Sequence, residues 1–75
     1  MPDFAEKLGR RIRFIRQMKL ISQTELARSI NVTRPYLSKI EHGKYNVRLD
    51  TMEEICRGLR VQPAELLEGV FLEDI

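Results

Sequence analysis

Apolar residues recur along the chain every three or four positions and never alternate with period two for long enough to argue a strand, so the predicted elements are helices. Phe4, Leu8, Ile12 and Ile15 form the first stripe, opened by Asp3 with Glu6 three residues later as its capping-box partner. Ser22 and Glu25 make the same box for a second helix, and Ile21 can staple onto Leu26. A third begins at Thr33, where Val32 and Leu37 repeat the staple and Leu37 and Ile40 continue the buried stripe. The fourth sets Leu49, Met52, Ile55, Cys56 and Leu59 on one face, with Arg48 or Asp50 at its start. The fifth starts near Gln62 with Pro63 at the first helical position, where a missing amide costs nothing, and Gly69 is expected to end it. The expectation is an all-α, compact five-helix chain forming a single domain over residues 1–75.

The second and third helices are joined by the short link "SINV". Ala27 is small enough for two helix backbones to approach there, and Asn31 stands where a left-handed turn residue is needed. That is the physical content of a helix-turn-helix, spanning about residues 22–42. With Leu37 and Ile40 buried, Arg34, Ser38 and Lys39 must project from the third helix. Were the partner a nucleic acid, arginine is the side chain best shaped to bond guanine O6 and N7 together, and Arg34 would be the first choice for base reading.

Charge sharpens this picture. The formal net charge of the 75 residues is only +2, but up to Arg48 eleven basic residues stand against four acidic ones, and from Leu49 onward two stand against seven. A basic front and an acidic back suit a polyanion-binding face opposite one that does not compete for it. The apolar runs are too short to span a bilayer, so no membrane partner is expected. A lone cysteine, Cys56, implies no internal disulfide and a reduced, cytoplasmic setting. His42 and Cys56 have no metal-ligand spacing, and the carboxylates sit at helix starts and in the acidic tail, so neither a metal, a cofactor nor catalysis is expected.

The run from Leu8 to Gly69, and above all "SQTELA" and "YLSKIEHGK", resembles the lambda-repressor-like helix-turn-helix domains of the Cro/C1-type, or XRE, family. The resemblance implies a five-helix domain that binds double-stranded operator DNA as a homodimer, with the third helix in the major groove. Gln23 matches a glutamine that contacts phosphate at the start of the second helix. Thr33, Arg34, Pro35, Tyr36 and Ser38 match the start and early exposed positions of the recognition helix, and Lys39 a later groove-facing one. Lys44, Tyr45 and Asn46 fall in the loop that grips the backbone, and Arg16 and Glu41 match a salt bridge joining the first helix to the end of the third. Three departures stand out: Leu20 where a glycine often ends the first helix, Val47-Arg48 for a frequent Pro-Ser pair, and Gly58 mid-helix where alanine is usual.

Dimerisation is expected through residues 66–75, where Leu67, Val70, Phe71 and Leu72 exceed what the core can absorb. A twofold dimer sets two recognition helices about 34 Å apart, one DNA turn. The length of the chain resembles the controller proteins of restriction-modification systems, which both activate and repress; RNA polymerase is then a further partner. A phage-type repressor, or an autoregulating antitoxin whose main partner is a protein, stays open as the alternative. Regulation is expected to act through protein concentration, dimerisation and operator arrangement.

Overall fold

A computed structural model describes residues 3–72, with side-chain surroundings through Val70. Five helices are present among the described residues: α1 (Phe4–Met18), α2 (Gln23–Ser29), α3 (Arg34–Glu41), α4 (Leu49–Leu59) and α5 (Pro63–Leu72). α1 packs on α3 and α5, α2 on α3 and α4, and α4 on α5. Their inward stripes meet in one core built on Ile12, Leu26, Leu37, Ile40, Ile55, Leu59, Leu66 and Val70, all essentially inaccessible to solvent.

Three of the starts have a side-chain cap. The Asp3 carboxylate accepts from the Glu6 amide at 2.9 Å. The Ser22 hydroxyl accepts from the Glu25 amide while Glu25 Oε1 accepts from the Ser22 amide, both at 3.0 Å, completing the box. Thr33 Oγ1 accepts from the Tyr36 amide at 3.2 Å. α4 begins after Arg48 with no side-chain cap. The turns use left-handed backbone: Asn31 has φ 59° as its type suggests, Gly43 has φ 73°, and Leu20 and Arg60 have φ 58° and 59°. Leu20 thus takes up the glycine conformation despite its side chain, at a cost of about 1–2 kcal/mol.

Four expectations are corrected. Phe4 and Leu49 continue the apolar stripes of their helices by spacing but are 48% and 80% exposed. Each is the first residue of its helix; in α1 the next residue, Ala5, and then Leu8 are buried, and in α4 Met52 is partly buried before Ile55. Gly69 does not end α5, which continues to Leu72. A Cβ there would lie 2.5–2.8 Å from the Arg11 guanidinium and its stem, so the glycine makes room for that side chain. Arg11 lies along α5 and donates to the carbonyls of Glu65 at 2.9 Å and Leu66 at 3.3 Å. Val70, assigned to a dimer contact, is only 1% exposed and belongs to the protomer's own core. Leu67 packs partly against that core, while the side chains of Phe71 and Leu72 and the whole of residues 73–75 lie outside the described residues.

Two further glycines set helix spacing. A Cβ on Gly9 would fall 2.6 Å from the Glu41 carbonyl oxygen and closer still to that of Ile40, so α1 crosses α3 backbone against backbone. On Gly58 a Cβ would meet only the side-chain ends of Leu26, Ser29 and Ile30, which accounts for this departure by close packing of α4 on α2.

Candidate nucleic-acid interface

α3 carries the candidate surface. Arg34 and Pro35 occupy its first two positions, where an amide is not needed, so the proline stands inside the helix without breaking it. Leu37, Ile40 and Glu41 face inward; Arg34, Pro35, Tyr36 and Lys39 are exposed, and Ser38 is half-buried. The amides of Gly43 and Lys44 donate to the carbonyls of Ile40 and Lys39 at 3.0 and 2.9 Å, turning the chain back beside the helix. Lys44, Tyr45 and Asn46 follow, all exposed. The Tyr45 ring comes to 5.3 Å from that of Tyr36, tilted by 31°. Of the residues picked from the sequence as DNA-facing, α3 and its loop gather all but Gln23 on one continuous stretch, and Gln23 adjoins it through Arg34.

A polar network ties this surface to the interior. Arg16 donates from Nε and Nη2 to the two Glu41 carboxylate oxygens at 2.8 and 3.1 Å, and from Nη1 to the Ile21 carbonyl at 3.0 Å. Both side chains are removed from water, at 11% and 1% exposure, and the fork-to-carboxylate geometry is what such a buried pair requires. Gln23 Nε2 donates to Glu41 Oε1 at 3.2 Å, and Gln23 Oε1 accepts from Arg34 Nη1 at 3.0 Å. The chain Arg16–Glu41–Gln23–Arg34 therefore runs from α1 through the end of α3 and the start of α2 to the first residue of α3. Pairwise pattern-reading missed both Gln23 bonds, because they join residues eleven and eighteen positions apart.

Elsewhere, acidic groups are committed to structure. The Glu25 carboxyl is held below its ordinary range, first by the Ser22 amide and then by its hydroxyl. Burial pushes the Cys56 thiol up, with the Glu53 carboxylate adding to the effect. Among the described residues no group of three His, Cys, Asp or Glu side chains is arranged to hold a metal ion, and no helix is long and apolar enough to cross a membrane.

Comparison with known proteins agrees with this geometry. Residues 12–66 match the family model described as helix-turn-helix. Control protein C.BamHI of Bacillus amyloliquefaciens is 44% identical over 61 residues, covering 80% of this chain and 75% of its own. Control protein C.MunI of Mycoplasma sp is 35% identical over 71 residues, covering 93% and 96% respectively. The restriction-modification controller protein C.Esp1396I, solved as a tetramer on its natural 35-base-pair operator, superposes with a TM-score of 0.87 at 30% identity over 97% of this chain and 96% of that one. The chain belongs to the helix-turn-helix family of lambda-repressor-like (Cro/C1-type, XRE) DNA-binding regulators.

Proposed function

We propose that this protein is a sequence-specific transcriptional regulator that binds operator DNA as a homodimer and serves as the controller of a restriction-modification system. The observation that carries the reading is the outward face of α3: Arg34, Pro35, Tyr36 and Lys39 project from a helix whose other side is locked in the core. In the major groove, Arg34 would read guanine, while Lys39, Lys44 and Asn46 neutralise or bond phosphates and fix the register. Thr33 and Ser38 lie at the edge of that contact. The acidic back of the chain, with Glu65 and Glu68 on α5, favours one orientation on the duplex.

The likeness to controller proteins over most of their own length supports the finer assignment. With Val70 in the core, the self-association surface is assigned to Leu67 and the end of α5. A controller that activates would also touch RNA polymerase.

The test is to select operators from random duplexes and titrate binding against salt. About six phosphate contacts per complex give a slope of log K on log salt near −5. A twofold-symmetric selected sequence with half-sites one DNA turn apart is the expected product. Affinity independent of salt, or no selected sequence, would overturn the reading. If the gene's own upstream region competes for binding and a methyltransferase or endonuclease gene adjoins it, the controller assignment stands; a neighbouring toxin or phage genes would replace it.

A further inference from the structure

The chain has two tyrosines and no tryptophan, and both tyrosines lie in the candidate DNA surface. Tyr36 is the third residue of α3, its amide fixed by Thr33 Oγ1, and it stays exposed beside the buried Leu37 and Ile40. Tyr45 reaches it from the loop beyond the helix, along a backbone with little freedom. Gly43 is left-handed and lies so close to Glu6 of α1 that a Cβ would collide with its backbone, while the Gly43 and Lys44 amides are bonded into the last turn of α3. The two rings, each 39% exposed, meet at 5.3 Å and 31°, within the range of offset aromatic pairs.

An exposed tyrosine on a helix can choose between two χ1 rotamers. A neighbouring ring on one side favours the rotamer that stacks, by about 2- to 13-fold at the usual worth of such pairs. On the proposed reading, that choice decides where the Tyr36 ring stands in the groove. We infer that Tyr45 is a positioning residue for base selection: it holds the Tyr36 ring against the groove floor, where the ring's apolar face takes a thymine methyl. The methyl is the group the ring fits, because thymine alone presents an apolar group on the major-groove edge. Tyr45 then shapes the sequence preference of the protein as well as its affinity.

The probe is an operator selected from random duplexes by the wild-type protein, and the same duplex with uracil replacing thymine at single positions. The wild type should prefer thymine at one position per half-site by about fourfold, the worth of one buried methyl. Tyr36→Ala should erase that preference. Tyr45→Ala should bring it close to unity, while Tyr45→Phe, which keeps the ring, retains it. Near-ultraviolet circular dichroism of the free protein, in which the tyrosine signal comes from this pair alone, should be strong in the wild type and collapse in Tyr45→Ala, with the far-ultraviolet spectrum unchanged. A Tyr45→Ala protein that keeps the full thymine preference, or weakens all sequences alike, overturns the inference and leaves operator binding intact. A wild type that selects no sequence overturns the proposed function and this inference together.

Discussion

Gly9→Ala tests the helix crossing that sets the recognition surface. At an unremarkable mid-helix site this change should stabilise a protein by about 1 kcal/mol, because alanine is the better helix former. Here the new Cβ would sit 2.6 Å from the Glu41 carbonyl oxygen, and closer to that of Ile40, against an ordinary contact distance of at least 3.4 Å. The misfit approaches 1 Å. Its neighbours are backbone atoms of the last turn of α3, bonded within their own helix, so no side chain can swing aside. Overpacking of this kind costs about 1–3 kcal/mol. Set against the propensity gain, the net expectation is a loss of up to about 2 kcal/mol, a large part of the roughly 4–11 kcal/mol expected for a 75-residue domain.

Urea unfolding followed by helical circular dichroism measures this directly, as a lower midpoint with an unchanged slope. Gly58→Ala is the internal comparison: its Cβ would meet side-chain ends of Leu26, Ser29 and Ile30, which can shift, so strain and propensity should nearly cancel. Gly9→Ala should also weaken operator binding at temperatures where it is fully folded, since relief of the clash moves α3 relative to α1. A Gly9→Ala protein as stable as the wild type, with unchanged operator affinity, would refute the close-crossing account.

Glu41→Ala should cost about 3–5 kcal/mol in urea unfolding, because Arg16 is left charged in a site 11% exposed with only the Ile21 carbonyl to bond; a loss below 1 kcal/mol would mean that water reaches the arginine. Arg34→Ala should flatten base preference at one position per half-site, and Gln23→Ala should blur the same position as well as weaken binding, since Gln23 Oε1 holds Arg34; uniform weakening by Gln23→Ala would confine it to phosphate contact. Ser22→Ala should destabilise by about 1 kcal/mol and raise the Glu25 pKa, seen by carboxyl NMR titration. The sign follows from the lowered folded-state pKa: the contribution of Glu25 is fully present above its unfolded value and is lost as pH falls through the folded one. Cys56, 3% exposed with its thiol pushed up by burial, should resist thiol reagents in the native protein and react at the rate of unfolding.

The features legible in the sequence were those with local causes. The Ser22–Glu25 box, the Thr33 cap and the left-handed Asn31 depend on residues at most three apart. What hid from view depended on a distant neighbour. Phe4 and Leu49 continue their stripes by period, yet whether a first-turn residue is covered depends on what packs above it, which period does not encode. Gly69 offered a glycine signal with two physical meanings, a helix end or a close approach, and only the position of Arg11 from α1 decides for the second. The excess of apolar residues near the end of the chain suggests a surface for a second copy; Val70 instead faces inward because α5 packs against both α1 and α4.

The buried network explains how a helix as short as α3 holds one orientation. α3 has eight residues, too few to be stable alone, and only Leu37 and Ile40 anchor it by apolar burial. Two apolar anchors leave rotation about the helix axis weakly specified. The Glu41 carboxylate removes that freedom, since it accepts from α1 through Arg16 and from α2 through Gln23 at once, and a small rotation of α3 would break charge-assisted bonds between side chains only 11% and 1% exposed. Because Gln23 also holds Arg34, the bond that fixes the helix and the bond that orients its first side chain belong to one amide group. Less ordering is then left for the moment of binding, which is the part of affinity that preorganisation improves.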